Sequence, residues 1–444
     1  MELKGKQVMV LGLARTGQES ARFLAQQGAA VRVSDIRAAA ELQQEMNALA
    51  GLPIQYHLGG QDRSWLEGVD LVVPSPGVPM DNVLLREAGR RGTKILSEIE
   101  LAYRVLSVPL VAITGTNGKS TTTTLIGEML KANDMKVFVG GNLGAPLIGC
   151  ASGDWDWGVV EISSFQLEWV ELFRPRISVL LNLTDDHLDR YQDFAAYGRA
   201  KERIFAAQQK HDTAILNRDD ARVWAMRERV RASVVSIGFA EVQNGVFADR
   251  EAIVWRDGGC EEKFLLAGVK IRGVHNVENM MAAVAVAKTI GVAGDGIQRT
   301  LESFPGLEHR LEFVREKNGV CYFNDSKGTN VGAVQKSLAS FSGPIILLAG
   351  GVDKGGDYGP LRTLIKHRVR RLVLFGAAKD IIAEALGHLT ETVIVESLAH
   401  AVRDAAAHAR AGEVVLLSPA CSSFDMFRNY AERGKAFKSL VQAL

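Results

Sequence analysis

The chain has 444 residues, with 52 Lys and Arg against 51 Asp and Glu. That length predicts about three domains, and it can bury several cores without disulfides or structural metals. A net charge of +1 argues against a general nucleic-acid binder, which needs a basic surplus to displace counterions from phosphates.

Cys150, Cys260, Cys321 and Cys421 lie far apart with no CxxC pair, which excludes a zinc ribbon and fits a reduced compartment. No apolar run approaches the ~18 residues of a membrane span. Met1–Lys6 runs straight into a strand-like VMVLG with no signal-peptide pattern, so the expected setting is the cytoplasm, with no membrane partner. Glycine is the outlier: 44 residues is about a tenth of the chain, against a usual ~7%.

Short apolar runs alternate with helical patterns throughout, which predicts an α/β protein. The first hundred residues read as strands Val8–Leu11, Val31–Ser34, Leu71–Val73 and Lys94–Leu96, with helices over Gly17–Gln27 and Asp81–Gly89. A second segment opens at Leu110–Thr114 and continues with Lys136–Val139, Trp157–Glu161, Ile177–Asn182, Thr213–Leu216 and Ser233–Gly238. An antiparallel patch over Gly245–Ile271 and an Ala-rich helix from Val277 to Ile290 follow. After the turn Phe304-Pro305-Gly306, strands at Val320–Asn324, Ile345–Ala349, Arg371–Phe375, Val393–Val395 and Val414–Ser418 each precede a helix. The spacing predicts three α/β domains: a Rossmann-like 1–97, a mostly parallel 98–305 and a Rossmann-like 306–444.

The strongest motif is Thr114-Gly115-Thr116-Asn117-Gly118-Lys119-Ser120-Thr121, between a strand and a helix. Glycines let backbone amides turn inward around phosphate oxygens, and the helix N-terminus adds partial positive charge. Lys119 would reach β- and γ-phosphates and Ser120 would hold Mg²⁺. Ile113 stands where the standard phosphate loop has its first glycine, so this loop is tighter. Gly12-Leu13-Ala14-Arg15-Thr16-Gly17 is a degenerate dinucleotide fingerprint with Asp35 ending the next strand. A nicotinamide site, another nucleotide and a helix-packing turn all fit it. Ser75-Pro76-Gly77 stiffens a loop over the same sheet edge, and Gly140–Gly144 and Gly350–Gly356 lie at further strand ends.

Glu161 ends a strand beside the phosphate loop, where a carboxylate reaches Mg²⁺ directly or through water. Asp185-Asp186-His187 offers further donors, or else an Asp pair capping a helix. Tyr197 and Lys201 match Y-x-x-x-K, the pair of short-chain dehydrogenases, although they lie in a different segment from Gly12–Gly17. The plainer alternative is a solvent-facing lysine. Asn276 and Asn279 share a helix face suited to a purine edge, or form an N-terminal polar turn. Asp325 and Lys327 follow the first strand of the last domain and suit an anionic ligand, or cap a helix.

Together TGTNGKST (114–121), GGNLG (140–144), EISSFQLE (161–168), LTDDHLDRY (183–191), YGRAKERI (197–204), HNVEN (275–279), HR (309–310), NDSKGTNVGA (324–333) and SPACSSFDMFRNY (418–430) resemble the Mur ligases over the whole chain. The likeness is to the branch that adds D-glutamate to UDP-N-acetylmuramoyl-L-alanine in peptidoglycan precursor synthesis. It implies a central domain of the phosphate-loop ATPase kind, an acyl-phosphate intermediate, ATP, two Mg²⁺ ions and a monomeric enzyme. By that resemblance Leu13, Ala14, Arg15, Thr16, Asp35, Arg37, Ser75, Pro76, Gly77 and Asn142 would bind the UDP substrate. Gly115 to Thr121, Asn276, Asn279, Arg310, Asp325 and Lys327 would bind ATP. Ser120, Glu161, His187 and Lys201, the last as a carbamate formed from CO₂, would organise the metals. Thr329, Lys354, Ser423, Phe424 and Tyr430 would bind D-glutamate. A sister ligase adding another amino acid, folylpolyglutamate synthetase, a nicotinamide oxidoreductase and a non-catalytic nucleotide-binding regulator are the rivals. The Asp-Asn-Pro-Arg motif of the diaminopimelate- and lysine-adding ligases is absent.

Overall fold

The chain is described by a computed structural model over residues 1–186, 190–271 and 273–444. Its strands form three sheets, each in its own α/β unit. In the first, β1 (Gln7–Leu11), β2 (Ala30–Asp35), β3 (Ile54–Leu58), β4 (Leu71–Pro74) and β5 (Lys94–Ile95) run parallel in the order 3-2-1-4-5. The order reverses between β1 and β4, so the Gly12–Gly17 turn and the Ser75–Gly77 loop diverge around a crevice at the strands' carboxyl ends. β3 is absent from the sequence reading: it is an edge strand, half-exposed, and its Gln55 and His57 break any apolar run. The helix predicted from Asp81 starts at Val83, because Asn82 caps it by accepting from the Leu84 amide at 2.9 Å.

The central sheet comprises β6 (Leu110–Thr114), β7 (Val137–Gly141), β8 (Trp157–Glu161), β9 (Ile177–Leu180), β10 (Thr213–Asn217), β11 (Ser233–Gly238), β12 (Gly245–Ala248), β13 (Ala252–Asp257) and β14 (Cys260–Leu265). The order is 14-13-12-11-10-9-6-8-7, with β13 antiparallel to both neighbours and every other pair parallel. β6 and β9 are buried at every residue, which is why LVAIT and ISVL carry no polar alternation. The helix Val274–Ile290 is buried continuously from Met280 to Ala287, so its sequence has no polar face.

In the third sheet β15 (Glu312–Lys317) is antiparallel to β16 (Val320–Asn324), and β17 (Ile345–Gly350), β18 (Val369–Phe375), β19 (Glu391–Ile394) and β20 (Val414–Leu417) complete a parallel set. The order is 15-16-20-17-18-19. β15 was not anticipated, since EFVREK is highly charged. Its signal lay in the turn: Asn318 and Gly319 both have positive φ, 52° and 74°, the pairing favoured in two-residue hairpins.

One apolar cluster runs from Val10 and Leu24 of the first unit into Leu110, Phe173 and Leu183 of the second. Residues of the third sheet such as Leu347, Leu374 and Leu416 cluster separately. Just past the first unit, Glu100 on the helix Glu98–Tyr103 anchors the connection to the central unit: its buried carboxylate accepts from the amides of Glu171, Leu172 and Phe173 at 2.9, 3.0 and 2.8 Å. No described helix is long and apolar enough to cross a membrane. The four cysteines are free.

Candidate active site

The phosphate loop lies between β6 and the helix Lys119–Lys131. Gly118 turns into that helix at φ 87°, and a Cβ there would sit 2.1 Å from Asn279 Oδ1. Both the left-handed backbone and the close approach therefore require glycine. Asn182, past the end of β9, clamps the loop by accepting from the Asn117 amide at 2.8 Å and donating to its carbonyl at 3.0 Å. Lys119 folds back, donating to the carbonyls of Gly115 (2.9 Å) and Thr116 (2.8 Å). Burial lowers its pKa against the opposing pull of Glu161 and Asp186.

Glu161 stands at the carboxyl end of β8, where Ser120 Oγ donates at 2.5 Å and Asn142 Nδ2 at 2.6 Å. Burial works to raise its pKa, but Lys119, those two hydrogen bonds and Arg310 together hold it below the ordinary carboxylate value. Arg310 reaches in from the third unit and donates to Ser120 Oγ at 2.8 Å. The surroundings of Ser120 are thus assembled across two domains.

Lys201, on the helix Phe194–Glu202, is only 1% exposed, which corrects the solvent-facing alternative. Its Nζ donates to the Gly115 carbonyl at 2.9 Å and lies 4.8 Å from the Tyr197 ring centre. Burial, then Lys119, push its pKa well below the usual lysine value. Tyr197 OH contacts Thr116 Oγ1 at 3.1 Å. The Tyr197/Lys201 pair therefore belongs to the phosphate loop rather than to the Gly12–Gly17 turn, and the dehydrogenase reading falls.

The metal question turns on donor chemistry. Ser120 and Glu161 present a hydroxyl and a carboxylate, hard oxygen donors that suit Mg²⁺. His187 lies outside the described residues, and among those described no group of three or more His, Cys, Asp or Glu forms a ready cage. Asp186 accepts from Asn330 at 3.1 Å and pairs with Lys354 at 3.5 Å, a second tie between the central and last units.

Asn276, Asn279, Arg310, Asp325 and Lys327 line one cleft with Asn117, Gly118 and Thr121. Asn279 donates to Asn276 Oδ1 at 3.3 Å, as their shared helix face predicts. Asp325 is pushed up to about 6 by burial, although Ser337 and Ser418 each donate to it at 2.7 Å. Burial, then Arg310, bring Lys327 down to about 7, and its ammonium lies 3.8 Å from the Tyr430 ring centre.

A second cleft gathers Ala14, Arg15, Thr16, Asp35, Arg37, Ser75, Pro76 and Gly77 with Asn142 of the central domain. Leu13 is buried, and its amide donates to Asp35 Oδ2 at 2.8 Å. Burial favours the neutral form of Asp35, but the Arg37 ion pair and the Leu13 amide outweigh it. A third cavity brings Thr329 and Lys354 together with Asp185 and Asp186. Ser423 is buried, Phe424 is 73% exposed and Tyr430 sits at Lys327, so these three stand apart from that cavity.

Sequence reasoning overlooked Asn182 and Arg433. Arg433 is fully buried and donates to Ser326 O at 2.9 Å and Cys421 O at 3.2 Å, fastening the loops after β16 and β20. Burial lowers it to about 10. An arginine one turn from Phe437 on the inward face of the helix Tyr430–Gln442 was its only local signal.

Three family matches cover most of the chain: Mur ligase MurD-like N-terminal domain at 6–97, Mur ligase middle domain at 113–287, and Mur ligase, glutamate ligase domain at 309–421. A UDP-N-acetylmuramoylalanine--D-glutamate ligase of Geotalea uraniireducens is 52% identical over 449 residues, spanning 100% of this chain and 99% of that protein. One of the same name from Geobacter metallireducens is 50% identical over 447 residues, spanning 100% and 99%. Among solved structures, a pseudomurein peptide ligase type C from Methanothermus fervidus has a TM-score of 0.64 at 18% identity, covering 99% of this chain and 100% of that one. A UDP-N-acetylmuramate-alanine ligase from Thermotoga maritima gives 0.61 at 19%, covering 98% and 99%. These two establish the three-domain fold; the full-length identity establishes the family. The chain belongs to the Mur ligases.

Proposed function

We propose that this chain joins D-glutamate to UDP-N-acetylmuramoyl-L-alanine in an ATP-driven reaction, forming an amide in peptidoglycan precursor synthesis. Residues 1–97 would hold the UDP substrate, 98–305 the ATP, and 306–444 the amino acid. The observation that carries this reading is Asn142: it lines the N-terminal cleft and also bonds Glu161 at the phosphate loop. A substrate held by its nucleotide end in that cleft points its far carboxylate toward the γ-phosphate.

A carboxylate is a poor electrophile and must be activated. Its oxygen attacks the γ-phosphorus, ADP leaves, and the resulting acyl phosphate is attacked at carbon by the free amine of D-glutamate. The carbon–nitrogen bond forms as inorganic phosphate departs. The first step brings anions together, so Lys119, Arg310 and the loop amides supply positive charge where it builds up. Mg²⁺, when bound, would offset phosphate charge, and Ser120, Glu161, His187 and a carbamate on Lys201 would hold two such ions. The depressed pKa of Lys201 supports that last modification, because the neutral amine is the form that adds to CO₂, losing one proton. Asn276 and Asn279 would take the adenine, with Asp325 and Lys327 beside the nucleotide. Thr329 and Lys354 would receive the amino acid, with Ser423, Phe424 and Tyr430 contributing from elsewhere in the same domain, and domain closure would keep water from the acyl phosphate.

The test is phosphate release from ATP with UDP-N-acetylmuramoyl-L-alanine, comparing D-glutamate with L-glutamate and other amino acids. Release that depends on D-glutamate is the expected result. No release with any acceptor, together with NADH binding, would return the nicotinamide reading.

A further inference from the structure

We propose that Arg190 is a positioning residue that holds the N-terminal substrate cleft in register with the reaction centre. The proposal rests on the ligase reading above. Arg190 spans the junction of the first two domains. Its guanidinium grips Glu168 through Nε to Oε1 (2.9 Å) and Nη2 to Oε2 (2.6 Å), and Nη2 also donates to the Val78 carbonyl at 2.9 Å. Its plane lies over Phe165, 4.2 Å from the ring centre.

Each partner belongs to a different part of the site. Val78 follows Ser75–Gly77 and lines the N-terminal cleft. Glu168 closes the segment that begins at Glu161, and Phe165 lies between them. Arg190 itself follows the Asp185–His187 run. Its neighbour Tyr191 donates to Glu168 Oε1 at 2.9 Å and packs 5.6 Å from Tyr197, whose ring covers Lys201. One side chain therefore ties the substrate loop to the Glu161 segment and, through Tyr191, to the Lys201 helix.

The geometry is specific to arginine. Two carboxylate oxygens, a carbonyl and an aromatic face are met by one planar fork, which an ammonium cannot reproduce. Glu168 is buried, so removing the guanidinium leaves its charge without its main counterion. A continuous apolar cluster and the Lys94–Glu171 ion pair also span this junction, so a loss here shifts register rather than separating the domains.

The experiment compares wild type, Arg190→Lys and Arg190→Met in steady-state kinetics, in calorimetric binding of UDP-N-acetylmuramoyl-L-alanine, and in thermal unfolding. Both variants are expected to lose about tenfold or more in kcat/KM for the UDP substrate, a misalignment effect, while KM for ATP and D-glutamate stays within about twofold. Arg190→Lys keeps the charge and secures a folded variant if Arg190→Met fails. Unchanged UDP-substrate binding and kcat, or equal rises in KM for all three substrates, would reduce Arg190 to a stability role. Wild-type binding of the UDP substrate without turnover would instead count against the ligase reading and leave the binding comparison to decide on Arg190.

Discussion

Asn142 and Glu161 are joined by a 2.6 Å hydrogen bond that links two clefts: Asn142 walls the N-terminal one, and Glu161 bonds Ser120 at the phosphate loop. Asn142→Ala removes the donor that fixes one carboxylate oxygen and frees Glu161 to rotate. If Glu161 holds Mg²⁺ as proposed, the expected loss is about 10- to 100-fold in activity, the usual range for partners that orient a metal-binding carboxylate. KM for Mg²⁺ should rise in parallel, read from phosphate release across a magnesium titration. Wild-type magnesium dependence in Asn142→Ala would separate the two clefts.

Lys201 gives the second prediction. Lys201→Ala should lose about 10- to 100-fold of the activity, and acetate or formate should restore part of it by entering the space the carbamate would fill. Native mass spectrometry of the wild type should show a carbon dioxide adduct that disappears on acidification. Full activity in Lys201→Ala would leave the buried lysine as a prop for the Gly115 carbonyl.

The parts of this site that were legible in sequence are the ones built within a single stretch of chain. The phosphate loop declares itself because glycines, Lys119 and Ser120 sit within six residues of one another, and Glu161 because it ends a plain apolar strand. The clamps were not legible. Arg190 meets Val78 and Arg433 meets Ser326 across long stretches of chain, and neither pairing leaves a local pattern. The same holds for edge strands: β3 and β15 bury one side at most, so their composition reads as loop, and only the Asn318-Gly319 turn betrays β15. Lys201 was open on the residues alone, since nothing local tells a buried lysine from an exposed one.

With nucleotide in the cleft as proposed, Lys327 should make binding a proton-linked event. In the free protein burial and Arg310 hold it near 7, so above that pH it is neutral. Incoming phosphates favour its charged form, and binding should therefore take up protons between pH 7 and the ordinary lysine range near 10.5. ATP affinity should weaken as pH rises through this window. Calorimetry at pH 8 in buffers of differing ionisation enthalpy measures the uptake, which Lys327→Met should reduce, leaving only what Lys119 contributes. Equal uptake by both proteins would show that Lys327 is already charged.

Glu98 predicts a pH dependence of stability in a region remote from the phosphates. Its Oε1 accepts from the Ile148 amide at 2.6 Å, whereas its buried Oε2 has no hydrogen-bond partner. Burial, opposed only by the backbone amides of Ile148 and Leu147, raises the carboxyl to about 7 from an ordinary 4.5. The folded state therefore binds this proton more tightly than the unfolded chain does. The associated stability is complete below about 4.5 and is lost as pH climbs through 7, a change of about 3 kcal/mol at most. Glu98→Gln keeps an acceptor for Ile148 but cannot ionise. In urea unfolding from pH 5 to pH 8, wild type should lose stability relative to Glu98→Gln, with the gap opening mostly between pH 5 and 7 and levelling off above. Parallel curves would mean that Glu98 stays in one protonation state across the range.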